Sequence, residues 1–284
     1  MVYSKTTVIT KNLVFGRVFL AILVLGGLIP FFVPTAKTFA FEGLFMVSDS
    51  IYIVKALNEN PLLLPRKPVK LLTKLKLAPF LPSQDIDCAV DPCIAFTFDD
   101  GPNPFTTPKI LETLDRVYAH ATFFVVGNQV ANNSALLKKM HSSGHEVENH
   151  SWGHPDMTRL SARQIREQID NTQQAVVGAG LPAPKYFRPP YGLRNSTVRQ
   201  VVGMPFILWN IDTKDWQQND AQTLAQSIIE QVRPGSIIIL HDTKSVTAAA
   251  LPIILDGLVG KYHFVSVSEL LKIPANDRGE YRGR

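Results

Sequence analysis

From Cys93 to the C-terminus, short apolar segments alternate with longer segments in which apolar residues recur every three or four positions. The short segments have the length of buried strands, and the longer ones have the period of amphipathic helices. Strand candidates are 93–99, 121–127, 145–150, 185–189, 205–211, 236–241 and 263–267. Helix candidates are 108–117, 133–143, 162–178, 196–202, 221–232 and 247–260.

This alternation indicates an α/β fold built from parallel strand–helix units. Seven strands within about 180 residues, joined by short connections, favour a closed or nearly closed (β/α) barrel with about seven parallel strands. An open doubly wound sheet is the alternative.

The N-terminal part of the chain has a different pattern. The run from Val18 to Pro34 carries no charged residue, and it follows three basic residues, Lys5, Lys11 and Arg17. A basic flank before an apolar run is typical of a secretory signal peptide, and Thr38-Phe39-Ala40 has the small residues of a cleavage site. A retained membrane anchor formed by residues 12–34 is the alternative. Both interpretations predict an exported protein, either anchored in the membrane and facing outward or secreted to the cell wall.

The formal net charge of +5 for 284 residues is unevenly distributed. Residues 1–84 contain ten Lys and Arg against three Asp and Glu, whereas residues 85–284 contain nineteen against twenty-one. The folded part is therefore not a basic nucleic-acid-binding domain. We predict a signal peptide or anchor at 1–40, a basic proline-containing linker at 41–87, the main domain at 88–275 and a polar tail at 276–284.

The only two cysteines, Cys88 and Cys93, are separated by four residues just before the first predicted strand. An isolated pair of this kind makes a poor zinc site, and an exported protein passes through an oxidising compartment. The sequence therefore predicts a Cys88–Cys93 disulfide.

Polar clusters follow five of the predicted strands. They are Asp99-Asp100-Gly101, His150-Ser-Trp-Gly-His154, Arg188-Pro-Pro-Tyr-Gly192, Asp212-Thr-Lys-Asp215-Trp216 and Leu240-His241-Asp242. Because the C-terminal ends of parallel strands converge on one face of the fold, we expect these clusters to form one site.

Two of the clusters carry metal-binding side chains. His150 and His154 are four residues apart, so one helical turn or a tight loop can direct both imidazoles at one point. A carboxylate from Asp99-Asp100 completes a two-histidine, one-aspartate set that leaves room for water. Zinc is the expected divalent ion, and cobalt, nickel and manganese accept the same ligands.

The same clusters provide groups for acid–base chemistry. One carboxylate of Asp99-Asp100 can bind a metal while the other takes a proton from water, although the residue types do not tell which is which. His241 could protonate a leaving amine. Arg188 could hold and tune the base, and Asp215 could hold His241. The backbone N–H of Tyr191 is a candidate donor to a developing oxyanion.

The five clusters, in this order, resemble the motifs of the polysaccharide deacetylases of carbohydrate esterase family 4. The similarity covers roughly residues 92–272, and no motif position departs from the family pattern. The resemblance implies a distorted (β/α) barrel and hydrolysis of N-acetyl groups. It also implies that Asp99 is the catalytic base, that Arg188 pairs with it, and that the metal ligands are Asp100, His150 and His154.

The resemblance assigns five further residues. His241 would be the catalytic acid and Asp215 its partner. Tyr191 would contribute its backbone N–H to the oxyanion site. Leu240 and Trp216 would line the pocket for the acetyl group.

The predicted function is metal-dependent removal of N-acetyl groups from an amino-sugar polymer, most simply the N-acetylglucosamine of peptidoglycan. Chitin oligomers and acetylated xylan are alternative substrates, and a non-catalytic protein that binds wall glycans is an alternative function. A serine hydrolase is disfavoured because the chain contains no Gly-x-Ser-x-Gly motif. A metal-dependent phosphoesterase is disfavoured because the chain contains no glycine-rich phosphate-binding loop.

Overall fold

The computed structural model describes residues 19–24, 27–32 and 86–284. The predicted cleavage site at 38–40 and almost all of the predicted linker lie outside the described residues. Within the apolar N-terminal run, β1 (Phe19–Val24) and β2 (Gly27–Phe32) form an antiparallel pair in which Phe19 lies opposite Phe32. Among the residues that the structure describes, no helix is both long and apolar enough to cross a membrane. The signal peptide or anchor at 1–40 stays a prediction.

Eight more strands belong to the C-terminal part of the chain. They are β3 (Cys93–Asp99), β4 (Ala121–Val125), β5 (Glu146–Asn149), β6 (Phe206–Ile207), β7 (Ile211–Asp212), β8 (Ile237–His241), β9 (His263–Phe264) and β10 (Glu280–Tyr281). The main sheet has the order β5-β4-β3-β8-β7, and β9 pairs with the start of β3. Every pair among these strands is parallel.

The strand order is that of a distorted (β/α) barrel. β3 pairs with β4 and β4 pairs with β5, each with the next strand in the chain, and β8 returns to pair with β3. Single parallel bridges from Asn149 to Phe187 and from Phe187 to Phe206 continue the sheet from β5 to β6. An open doubly wound sheet also places a later strand beside the first one, but its two edge strands stay apart. Here the bridges lead from the edge strand β5 to β6, which precedes the other edge strand, β7, by only three residues. The predicted barrel with about seven parallel strands is therefore confirmed.

Eight helices of the described chain connect or flank these strands. They are α1 (Thr107–Asp115), α2 (Gly127–Val130), α3 (Ser134–Ser142), α4 (Ala162–Gly178), α5 (Ser196–Val202), α6 (Ala221–Gln231), α7 (Ser245–Leu258) and α8 (Val267–Leu271). The predicted bounds of α4 and α5 agree with the structure at both ends. The short helices α2 and α8 were not predicted, because four or five residues are too few to show a helical period.

The predicted strand at 185–189 is reduced to the single bridging residue Phe187. The buried carboxylate of Glu148 accepts hydrogen bonds from the backbone N–H groups of Lys185 and Tyr186, at 2.6 and 2.7 Å. These donors are therefore not available for a strand ladder, and Pro189 has no N–H to offer. The predicted strand at 205–211 is likewise divided into β6 and β7.

The residues expected to form a polar tail, 276–284, instead contribute β10 to the fold. Glu280 and Tyr281 pair in parallel with Phe206 and Ile207 of β6. A polar sequence does not exclude such pairing, because a two-residue strand at the end of a sheet needs only its backbone groups to pair. The division of the chain into domains stays a prediction. Glu280 also lies within salt-bridge distance of three arginines, which satisfies its charge.

The predicted disulfide between Cys88 and Cys93 is present. Both cysteines are buried in an apolar cluster that includes Ala95, Phe124 and Tyr186. The disulfide therefore joins the residues before the barrel to the first residue of β3. All seven residues of β3 are buried, as expected for a strand covered on both faces.

Candidate active site

Three potential metal ligands meet at the C-terminal ends of β3 and β5. One side-chain ligand atom from each of Asp100, His150 and His154 lies within 4.8 Å of the other two. The Nε2 atoms of His150 and His154 are 3.6 and 3.3 Å from Oδ1 of Asp100. The structure therefore groups the histidines with Asp100, the carboxylate that the family resemblance indicated.

His150 is oriented by a contact that suits a metal ligand. Its Nδ1 lies 2.7 Å from the backbone oxygen of Arg188, and because a carbonyl can only accept, Nδ1 carries the proton. The lone pair is then on Nε2, on the side of Asp100. Burial lowers the pKa of His150 to about 3, so the imidazole is neutral at pH 7. Two imidazoles and one carboxylate form a donor set that fits a divalent cation such as zinc.

A tight loop, not a helical turn, presents the two histidines. Ser151 and His154 have left-handed backbone angles, with φ of 68° and 56°. Asn149 accepts a hydrogen bond from the Ser151 N–H at 2.8 Å, and Gln168 of α4 accepts from the N–H groups of Trp152 and Gly153. Side chains of β5 and α4 thus hold a backbone that would be strained on its own.

Asp99 forms a buried ion pair with Arg188. Nη1 of Arg188 donates to Oδ1 of Asp99 and to the hydroxyl of Thr97, both at 2.7 Å. Nε and Nη2 donate to the backbone oxygens of Ile207 and Leu208 at 2.9 and 3.0 Å. Burial raises the pKa of Asp99, and the positive charge of Arg188 opposes that rise. The guanidinium is thus fixed by four acceptors and holds one oxygen of Asp99.

His241 is held by the buried carboxylate of Asp215. Nδ1 of His241 lies 2.6 Å from Oδ1 of Asp215, and Oδ2 of Asp215 accepts from the His241 N–H at 2.7 Å and from Thr247 at 2.5 Å. Burial favours the neutral imidazole, but the hydrogen bond and charge of Asp215 outweigh it and raise the pKa of His241 to about 9. The imidazole is therefore protonated at neutral pH.

The remaining predicted site residues differ in exposure. Tyr191 has a left-handed φ of 58°, is 65% exposed, and places its ring edge-on to His154 with centroids 4.6 Å apart. Trp216 is 57% exposed in a 3₁₀ turn, whereas Leu240 is fully buried in β8. Contact of Leu240 and Trp216 with an acetyl group stays a prediction.

Sequence reasoning assigned no role to Asp242, which is buried directly after His241. Its Oδ2 accepts from the hydroxyl of Thr107 at 2.5 Å, its backbone oxygen accepts from Thr106, and its N–H donates to the backbone oxygen of Asp99 at 3.3 Å. A Cβ atom at Gly101 would lie 2.1 Å from Oδ2, so only glycine fits there. Asp242 thus ties β8 to the loop after β3, and burial raises its pKa to about 7. Its place in the last polar cluster was the available signal.

Thr97 is a second residue without a predicted function. It is fully buried in β3, and its hydroxyl donates to the backbone oxygen of Ile238 at 2.7 Å while it accepts from Arg188. A single polar residue in an otherwise apolar strand was a signal of this role, because a buried hydroxyl requires partners.

Comparisons with known proteins agree with this geometry. The sequence model of the polysaccharide deacetylase family matches residues 87–204. A peptidoglycan-N-acetylglucosamine deacetylase, PgdA of Listeria monocytogenes, is 40% identical over 178 residues, which are 62% of this chain and 38% of the relative. A chitooligosaccharide deacetylase of Bradyrhizobium is 37% identical over 153 residues, 52% of this chain and 70% of the relative.

A solved structure extends the similarity to the fold. A family 4 acetyl xylan esterase from Clostridium thermocellum, in complex with a cobalt ion, superposes with a TM-score of 0.64 at 35% identity. The match covers 67% of this chain and 98% of that one. The parallel barrel, with its polar clusters at the C-terminal ends of the strands, is therefore a carbohydrate esterase fold. The chain belongs to the polysaccharide deacetylase family, carbohydrate esterase family 4.

Proposed function

We propose that this protein is a metal-dependent deacetylase that hydrolyses N-acetyl groups of an amino-sugar polymer, with peptidoglycan N-acetylglucosamine as its main substrate. The observation that carries the proposal is the grouping of Asp100, His150 and His154 beside two buried pairs, Asp99–Arg188 and His241–Asp215. Amide hydrolysis can use a metal site, a carboxylate as general base and a protonated imidazole as general acid, and the three lie next to one another here.

Asp99 acts as the general base in this proposal. Its Oδ1 is held by Arg188, and its Oδ2 lies 3.7 Å from Nε2 of His150, on the side of the metal ligands. Oδ2 therefore takes the proton of the attacking water. Asp100, His150 and His154 would hold the divalent cation, which would supply a Lewis acid for the acetyl carbonyl and make water easier to deprotonate.

His241 acts as the general acid. Asp215 binds its Nδ1, so Nε2 is the nitrogen that gives a proton to the leaving amine. The nitrogen of an N-acetyl group would leave as a strongly basic amide anion unless it is protonated as the C–N bond breaks. This requirement accounts for a histidine whose pKa is raised to about 9. The backbone N–H of Tyr191 donates to the oxyanion that develops on the acetyl carbonyl.

The nature of the substrate is supported by the surface of the site and by the relatives. Tyr191 and Trp216, two of the predicted site residues, are 65% and 57% exposed, and such aromatic faces suit the apolar faces of sugar rings. The Listeria relative is named for peptidoglycan N-acetylglucosamine, although this chain spans only 38% of that protein's length. Export to the cell wall, proposed from the N-terminal pattern, would bring the protein to this polymer.

The test is acetate release by the full chain loaded with zinc. The substrates are peptidoglycan, chitin oligomers and acetylated xylan, and the control is peptidoglycan from which the N-acetyl groups have been removed. We expect acetate and an equal amount of new free amine from intact peptidoglycan. Preference for chitin oligomers or xylan would correct the substrate. No release from any of the three would contradict the enzyme and support a non-catalytic wall-glycan-binding protein.

A further inference from the structure

The turn that carries Tyr191 has an unusual backbone. Tyr191 and Gly192 are consecutive residues with left-handed angles, φ 58° and 67°. The left-handed region is unfavourable for a residue with a Cβ atom, so Tyr191 holds this conformation only if its surroundings fix the turn. The orientation of the Tyr191 N–H depends on this turn.

Arg194 fixes the far end of the turn. Its Nη1 donates to the backbone oxygen of Gly192 at 2.7 Å, and its Nε donates to Oε2 of Glu280 at 3.0 Å. Nη2 of Arg194 also binds the second carboxylate oxygen of Glu280. Because the guanidinium is planar and rigid, two bonds to one carboxylate determine where the third nitrogen points.

Glu280 is itself held by the last strand of the fold. It lies in β10, opposite Phe206 of β6, and the flanking Gly279 and Tyr281 accept from the N–H groups of Phe206 and Leu208 at 2.8 and 2.7 Å. The side chain of Glu280 is only 18% exposed. Partial burial raises its pKa, but the hydrogen bonds of Arg194 and Arg199 outweigh that effect and lower the pKa, so the carboxylate stays charged.

We propose that Glu280 is a positioning residue for the active site: through Arg194 it holds the Gly192 carbonyl, and thereby the turn that presents the Tyr191 N–H to the oxyanion. This inference rests on the proposed deacetylase function. Glu280 lies outside residues 87–204, the range that the family model matches, and outside the five polar clusters. The segment that contains β10 would then affect the reaction, although none of its residues takes part in the proposed chemistry.

The test compares Glu280→Gln with Arg282→Ala in the full chain. Gln keeps the shape of the side chain but removes the charge that orients Arg194. Arg282 also donates to Glu280, at 3.2 Å, and is 54% exposed, so its removal is the matched control. Arg194→Lys is a second variant, because a lysine cannot bridge the carboxylate and the carbonyl with a rigid fork. Melting temperature and circular dichroism check that all variants fold.

Two readouts decide the proposal. In Glu280→Gln and Arg194→Lys, we expect faster hydrogen–deuterium exchange in residues 190–195. We also expect kcat to fall by about 10- to 100-fold, with unchanged KM and zinc content. Arg282→Ala should match the wild type in both. Unchanged exchange, or faster exchange with unchanged kcat, would overturn the positioning role. If the wild-type protein releases no acetate, the proposed function fails and the catalytic part of this inference fails with it, while exchange still decides whether Glu280 holds the turn.

Discussion

Asp99 and His241 occupy paired positions on two neighbouring parallel strands, β3 and β8. Residues in register on adjacent strands point to the same side of the sheet, so the two side chains flank the same space. Each has its own buried partner, Arg188 for Asp99 and Asp215 for His241. The base and the acid of the proposed reaction are therefore placed by the ladder between two strands, not by flexible loops.

Asp99→Asn should abolish turnover and keep the metal. The amide cannot take a proton from water, whereas the three proposed metal ligands stay in place. General base catalysis contributes about 10²–10⁴-fold, so we expect kcat to fall at least about a hundredfold. Acetate release and zinc content, measured on the same sample, check this. Retained turnover would remove Asp99 as the base.

His150→Ala should lose metal and activity together. The substitution removes one of the three proposed ligands and frees the backbone oxygen of Arg188 that accepts from Nδ1. His141→Ala is the matched control, because His141 is exposed on α3 and belongs to no metal-ligand group of the described chain. The measurement is zinc bound per chain after dialysis. A His150→Ala protein that keeps its zinc would exclude His150 as a ligand.

Asp215→Asn should shift the pH dependence of activity to lower pH. The carboxylate of Asp215 raises the pKa of His241 to about 9, and the proposed acid works only when protonated. In the wild type, activity should therefore fall as the pH rises through about 9. Without the charge of Asp215, the pKa of His241 falls and the alkaline decline moves with it. Profiles of kcat/KM against pH for both proteins measure the shift, and identical alkaline limbs would contradict the pairing.

The same pair predicts how stability depends on pH. A histidine whose pKa is raised by folding contributes stability that is fully present below its unfolded pKa of about 6.5. That contribution is lost as the pH rises from there through about 9, the pKa of His241 in the folded state. The free energy of unfolding should decline over this range in the wild type and decline less in Asp215→Asn. Denaturant titrations at several pH values provide the comparison.

Replacing both cysteines by alanine should lower stability and leave the chemistry intact. The Cys88–Cys93 disulfide closes a short loop, so its removal should cost about 2 kcal/mol. For a domain of this size, that corresponds to a melting temperature lower by about 5 °C. Neither cysteine is within the polar face, so kcat should stay within about twofold of the wild type. A loss of activity without a loss of stability would show that the disulfide shapes the site.

The barrel could be predicted from the sequence because each strand and helix is marked by the pattern of apolar and polar residues within its own segment. β3 was predicted at its observed bounds, since it is a continuous buried run that ends at two acidic residues and a glycine. The convergence of the five polar clusters followed from the parallel topology alone. The sequence did not show that the strand at 185–189 would be replaced by side-chain contacts with Glu148, because that contact joins residues 37 and 38 positions apart.

The loops of the site were less predictable for a related reason. Of the seven non-glycine residues with left-handed backbone in the described chain, five lie in the polar clusters: Asp100, Ser151, His154, Tyr191 and Lys214. Such conformations are held by tertiary contacts and run against local preference, so no local pattern reveals them. The choice of Asp100 over Asp99 as the metal ligand depended on the family resemblance for the same reason.

The most direct measurement is acetate release from peptidoglycan by the metal-stripped full chain as zinc is added back. If Asp100, His150 and His154 form the catalytic metal site, the stripped protein is inactive and activity rises until one zinc is bound per chain. Full activity after complete removal of metal, or zinc bound at one per chain with no acetate released, would contradict a metal-dependent deacetylase.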